Sequence, residues 1–140
     1  MNASRPRGLS LEELDGRYAV CRLPADSPIP RWVTSDPTGH FSSITRTAEE
    51  LSLVCATTAV PADARAERDW ACFRVAGTLD FSEVGILADL ARPLVDAEVS
   101  IFVVSTFDTD YLMVRRAARR RAVEAWTAAG HTVREREETR

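Results

Sequence analysis

Strand and helix signals alternate in a fixed order through the second half of the chain, and this order restricts the fold more than any other feature. Apolar runs at 70–76, 101–104 and 111–114 have the length of buried strands, and the turn residues at 107–110 separate the last two. Between the first two runs, apolar residues recur every three to four positions over 84–95, which predicts a helix with one apolar face. That face is predicted to consist of Val84, Leu87, Ala88, Ala91, Leu94 and Val95.

Two further elements complete the pattern. Residues 116–129 carry apolar side chains on one helical side, and Gly130 follows where a helix commonly ends. Residues 131–136 are typical of a last strand at a sheet edge. The order β-α-β-β-α-β predicts a complete ferredoxin-like unit at 67–137.

The first half of the chain predicts a shorter version of this arrangement. An apolar run at 18–23 ends at Pro24 and predicts a strand. The proline-rich stretch that follows has room for one helical turn at 29–33, and the runs at 41–47 and 51–60 predict a hairpin.

We therefore expect an α+β fold with two ferredoxin-like units, an abbreviated one at 17–62 and the complete one at 67–137. Residues 1–16 are polar and are predicted to be a flexible N-terminus with one helical turn at 9–14.

The composition excludes several classes of protein. A net charge of -3 argues against a dedicated nucleic-acid binder or a protein that coats anionic membranes. All 18 basic side chains are arginine, which removes lysine Schiff-base chemistry. No nucleophile or nucleotide-binding motif is present, so we expect a protein that is not an enzyme and needs no cofactor.

The cysteines and the apolar runs indicate the cellular compartment of the protein. Cys21, Cys55 and Cys72 are widely spaced in apolar runs, which favours buried free thiols over disulfides or a metal site. No apolar run approaches the roughly 18–20 residues that span a bilayer. We expect a cytoplasmic protein with no membrane partner.

Three stretches resemble a known family: SITRTAEELSLVC at 43–55, RVAGTLDFSEVGILADLARPL at 74–94 and SIFVVSTFDTDYLMV at 100–114. They are similar to small tandem ACT-domain proteins, related to the CASTOR-type arginine sensors and to the regulatory ACT domains of aspartate kinase. The resemblance implies two ACT units whose sheets join, with an amino acid bound at an interface between units or between subunits. It also implies an allosteric regulatory role, a homodimer and a protein partner.

An amino acid needs hydrogen-bond donors for its carboxylate and acceptors for its ammonium group. The start of the predicted helix supplies donors, and Gly85 would let a ligand approach the backbone. Asp80, Glu83 and Asp110 are candidates for the ammonium group. The resemblance implies a pocket lined by Phe81, Glu83, Thr106, Phe107 and Asp110.

Structural interpretations of these residues stay open. Asp80 and Glu83 have the spacing of a capping box, and Asp108 and Asp110 suit an ordinary turn. The basic run at 115–121 is interpreted as a solvated helix face with Glu124 as a partner, and less readily as a nucleic-acid contact. The alternative function is a structural or protein-interaction ACT-like module with no ligand.

Overall fold

The computed structural model describes residues 8–35, 40–77 and 84–136. The chain has the expected α+β fold. Its strands and helices, in chain order, are β1 (Ser10–Glu13), β2 (Tyr18–Leu23), β3 (Ser43–Arg46), β4 (Leu51–Ala56), β5 (Ala66–Val75), α1 (Ile86–Asp96), β6 (Ile101–Ser105), β7 (Asp110–Arg115), α2 (Arg119–Ala128) and β8 (Thr132–Arg134). Short 3-10 turns lie at Arg31–Thr34, Thr57–Ala59 and Arg116–Ala118.

The chain divides into two compact units. Asp15–Trp70 form the N-terminal unit, while Met1–Leu14 and Ala71–Arg140 form the C-terminal unit. Strand β5 crosses the boundary between Trp70 and Ala71. The assignment of ACT-like domains to 17–62 and 67–137 stays a prediction.

In the N-terminal unit, antiparallel pairs join β3 to β4, β4 to β2, and β2 to the first half of β5. The predicted strand at 18–23, the hairpin and the short helical turn are all confirmed. The hairpin closes through a hydrogen bond from Thr47 N to Glu50 O of 2.9 Å. The core of this unit is a buried cluster of Ala19, Cys21, Val33, Leu51, Leu53, Cys55 and Val60.

In the C-terminal unit, the predicted order β-α-β-β-α-β is confirmed as β5-α1-β6-β7-α2-β8. Strand β7 pairs with both β5 and β6. The core centres on Trp126, whose ring meets Phe73 edge-on at 5.1 Å between ring centroids. The indole Nε1 donates a 2.9 Å hydrogen bond to Leu90 O, which joins α2 to α1.

The prediction for the N-terminus is wrong at residues 10–13, which form strand β1 instead of a flexible segment or a helical turn. This strand pairs antiparallel with β5 and parallel with β8, so it lies between them. The sequence Ser-Leu-Glu-Glu has too few apolar residues to predict a strand. Tertiary contacts decide instead, because Leu11 is buried in the core and Glu13 meets arginines far along the chain.

The predicted apolar face of α1 is also largely wrong. The buried residues are Ile86, Leu90 and Leu94, which recur every four positions. Of the predicted positions, Leu94 is buried, whereas Leu87 and Val95 are exposed. Apolar residues lie on more than one side of this helix, so periodicity alone cannot tell which side meets the sheet.

Strand β5 begins four residues earlier than predicted, at Ala66 rather than Trp70. No helix in the described ranges is long and apolar enough to cross a membrane.

Candidate functional site

The turn between β6 and β7 is closed by its own threonines. Ser105 and Asp110 are the last paired residues of the two strands. Thr106 N donates to Thr109 O at 2.9 Å, and the Thr106 hydroxyl donates to the same oxygen at 3.0 Å. The hydroxyl also accepts a 3.3 Å hydrogen bond from Thr109 N. These three bonds fix the backbone of the turn.

Thr109 anchors the turn to the neighbouring strand. Its side chain is buried, with 3% of the residue exposed, and its hydroxyl donates a 2.7 Å hydrogen bond to Val75 O. Val75 is the last residue of β5. The turn is therefore held at the end of the strand that leads toward α1. Thr109 was not predicted from the sequence as a site residue, although its three-residue spacing from Thr106 is typical of such a turn.

The structure brings three predicted site residues together in this turn. Thr106 is exposed, Phe107 is 79% exposed and Asp110 is half-buried at the start of β7. A carboxylate, a hydroxyl and an aromatic ring thus lie within five consecutive residues on a fixed backbone.

Gly85 occupies the N-cap position of α1. Its φ of 87° lies in the left-handed region, where glycine carries no steric penalty. Asp89 N donates to Gly85 O at 2.8 Å, the first turn of the helix. Because α1 begins at Ile86, its N-cap is Gly85 and not Asp80.

The other predicted site residues, Asp80, Phe81 and Glu83, lie outside the described residues. Their role in a ligand site, and that of Gly85, Thr106, Phe107 and Asp110, stays a prediction.

A buried carboxylate that sequence analysis missed lies elsewhere in the C-terminal unit. Glu13 is only 4% exposed and accepts hydrogen bonds from Arg119 Nε at 2.8 Å and Arg119 Nη2 at 2.7 Å. It also accepts one from Arg136 N at 2.8 Å, and Arg116 Nη1 lies 3.4 Å away. These charge-assisted bonds hold β1 against α2 and the segment after β8.

This network corrects the interpretation of the basic run at one position, while Arg115, Arg120 and Arg121 are exposed as predicted. Arg119 is 9% exposed and is not part of a solvated face. Arg120 pairs with Glu135 at 3.2 Å, and Arg121 donates to Glu98 O at 3.4 Å, where Glu124 had been expected as a partner. The pKa of Glu135 is lowered, chiefly by its hydrogen bond from Arg119.

Comparisons with known families match both halves of the chain. The family model of the ACT domain matches residues 65–127, and a model of a family's N-terminal domain matches residues 16–63. No curated protein sequence matches the chain.

Solved structures match over nearly the whole length. A protein from Agobacterium tumefaciens is 38% identical, with a TM-score of 0.86, and the match covers 96% of this chain and 98% of that one. A Vibrio cholerae protein is 19% identical, with a TM-score of 0.69 and coverage of 88% and 91%. The ligand-free regulatory subunit of aspartate kinase from Thermus thermophilus is 15% identical, with a TM-score of 0.55 and coverage of 89% and 98%. The last two likenesses show the fold alone.

Proposed function

Because this chain belongs to the family of small ACT-domain proteins, we propose that it is a regulatory module that reversibly binds a free amino acid. Its fold is related to that of aspartate kinase regulatory subunits. The amino acid would bind at the end of the C-terminal unit where β5 and the β6–β7 turn meet.

The hydrogen bond from the Thr109 hydroxyl to Val75 O is the observation that carries this proposal. It supports a site whose backbone is already in place before a ligand arrives. A preformed site loses less conformational entropy on binding, which improves affinity for a small ligand. Thr106, Phe107 and Asp110 are displayed on this backbone.

The chemistry of the turn suits part of an amino acid. The carboxylate of Asp110 would meet the ammonium group, and Phe107 would cover an apolar part of the ligand. The start of α1 at Gly85 would meet the carboxylate. Asp80, Phe81 and Glu83 remain proposed members of the same site.

A non-catalytic role fits the one histidine in the C-terminal unit. His131 is buried, and its Nδ1 accepts a 3.1 Å hydrogen bond from Leu9 N. Its Nε2 lies 3.3 Å from Asp89 O, which makes Nε2 the protonated nitrogen. The ring thus has a structural role, joining the start of β1 to α1.

We further propose that the protein is a cytoplasmic homodimer that acts on a protein partner. The three cysteines are buried and free, which supports a reducing compartment. Ligand binding would favour one arrangement of the subunits and so change the affinity for the partner.

A thermal scan of the purified protein against each of the twenty amino acids tests the proposal. At a concentration of about 100 times Kd, the ligand should stabilise the protein by about 2.7 kcal/mol. Binding should be lost in Asp110→Asn and kept in the matched control Asp96→Asn, which changes an exposed carboxylate at the end of α1. If the protein is folded and none of the twenty amino acids raises its melting temperature, the proposal is wrong.

A protein-interaction module without a ligand is the second candidate, because α1 displays apolar side chains to solvent. Val95 is 70% exposed and Leu87 is 37% exposed. If these residues form a protein interface, Val95→Glu should abolish self-association in light scattering and leave the melting temperature of the monomer unchanged. No amino acid should then alter the stability of the native protein.

A further inference from the structure

A groove of about 460 Å³ lies within the N-terminal unit. Three separate segments form it: the end of β2, the 3-10 turn Arg31–Thr34, and the loop at 61–65 that precedes β5. Its size falls in the range of sites that hold small molecules.

The floor of the groove is apolar. Leu23, Trp32 and Ala64 line it, and all three are half-buried side chains that pack against the core cluster of this unit. Trp32 is one of the lining residues, and an indole ring is a surface that suits a flat or apolar group.

The backbone around the groove is fixed by hydrogen bonds. Arg22 N donates to Arg65 O at 3.0 Å, which ties the loop to β2. Ala64 N donates to Pro61 O at 3.1 Å, and Arg68 Nη2 donates to the same oxygen at 2.7 Å. The walls therefore need little rearrangement to receive a ligand.

The rim carries two opposite charges. Within the described ranges, the side chains of Asp63 and Arg65 form no hydrogen bond or ion pair. Arg22, also at the rim, is engaged: its Nη2 donates to Glu49 O at 2.9 Å, and its Nε lies 3.8 Å from Glu50 Oε1. One carboxylate and one guanidinium, two residues apart in the chain, are thus available above an apolar floor.

We propose that this groove binds a small zwitterion with an apolar or aromatic side chain. The ligand carboxylate pairs with Arg65, its ammonium group pairs with Asp63, and its side chain rests on Trp32. Guanidinium and carboxylate groups form the stronger, charge-assisted hydrogen bonds with such partners. This site is separate from the one proposed in the C-terminal unit and does not depend on it.

L-phenylalanine is the probe for the full-length protein. Titration should give a saturable change in tryptophan fluorescence, because Trp32 is more exposed than Trp70 and Trp126. In amide NMR spectra, the shifted signals should include Ala64, Arg65 and the Trp32 indole. This second readout is made on the native protein, so it does not depend on whether any variant folds.

Two single-charge analogues test the pairing of charges. Phenylacetate lacks the ammonium group and phenethylamine lacks the carboxylate, and each should bind roughly tenfold more weakly than phenylalanine. Equal binding of all three would overturn the proposal, since it would leave only an apolar contact.

Variants locate the site. Arg65→Gln and Asp63→Asn should each weaken phenylalanine binding by roughly tenfold, while the matched control Arg17→Gln, at an exposed ion pair with Asp69, should not. Unchanged binding in Arg65→Gln, no saturable change with phenylalanine, or shifts confined to the β6–β7 turn would each overturn the proposal. Shifts confined to the β6–β7 turn would still be consistent with the proposed function. Asp110→Asn distinguishes the two sites, because it should leave phenylalanine binding in the groove unchanged.

Discussion

Arg119 donates two hydrogen bonds to the carboxylate of Glu13, from Nε at 2.8 Å and from Nη2 at 2.7 Å, across 106 positions of the chain. The pair joins the first strand of the C-terminal unit to its last helix. Both side chains are largely buried, with exposed fractions of 2% for Glu13 and 10% for Arg119. The C-terminal unit therefore depends on residues from both ends of the chain.

Removal of the Glu13 charge should destabilise the protein. Glu13→Gln leaves the buried guanidinium of Arg119 with only the more exposed carboxylate of Glu135 as a partner, and breaking a buried pair of this kind costs about 3–5 kcal/mol. Urea denaturation measures the free energy of unfolding. The control Glu12→Gln removes a more exposed carboxylate that pairs with Arg74 at 3.4 Å, and it should cost less than about 1 kcal/mol. Equal effects of the two substitutions would contradict the role assigned to Glu13.

Stability should fall in acid partly through Glu135. The hydrogen bond from Arg119 lowers the pKa of this carboxyl below its ordinary value of 4.5 in the folded protein. Its contribution is therefore complete above that ordinary pKa and is lost as the pH falls through the lower folded pKa. Because the side chain is 37% exposed, solvent screening keeps the contribution small.

Melting curves of the wild type and Glu135→Gln across the acid range measure this contribution. The wild type should be the more stable at neutral pH, and the difference should vanish in strong acid. A difference that grows as the pH falls would show that the sign is wrong.

The cysteines should differ in reactivity. Burial and the nearby charge of Glu13 raise the pKa of Cys72 far above its ordinary value, so little reactive thiolate forms. A hydrogen bond with Cys55, assisted by the charge of Arg68, lowers the pKa of Cys21. Mass spectrometry of the native protein after brief alkylation should find Cys21 modified before Cys72. Earlier modification of Cys72 would contradict this order.

The orientation of α1 can be tested with two leucines of the same helix. Leu90 is fully buried, and Leu90→Ala should lower the free energy of unfolding by about 2–5 kcal/mol. Leu87 is exposed by 37%, and Leu87→Ala should cost less than about 1 kcal/mol in the monomer. A larger loss at Leu87 in denaturation experiments would favour the face predicted from the sequence.

The sequence predicted the elements whose signals are local. The strand at 18–23 and the hairpin after it follow from short apolar runs and turn residues, and they were found at the expected places. The order of elements after Trp70 likewise depends on patterns within each segment.

The predictions that were wrong concern features that contacts between distant residues decide. Strand β1 is specified by the partners of Leu11 and Glu13, which lie at least 60 positions away, so no local pattern reveals it. The buried side of α1 is decided by which face the sheet covers. In the candidate site, Thr106, Phe107 and Asp110 were predicted from the sequence and Thr109 was not. The Thr109 hydroxyl acts through a hydrogen bond to Val75 O, a contact between residues 34 positions apart that no local pattern indicates.

The most direct test of the proposed function is an amide NMR titration with the amino acid that stabilises the protein most. The proposed function requires saturable shifts at Thr106, Phe107 and Asp110 and at Gly85, where α1 starts. It also requires weaker binding in Thr109→Val, which removes the hydroxyl that holds the turn to Val75, and unchanged binding in the exposed control Thr45→Val. Saturable shifts that leave the β6–β7 turn untouched, or no shift with any of the twenty amino acids, would contradict it.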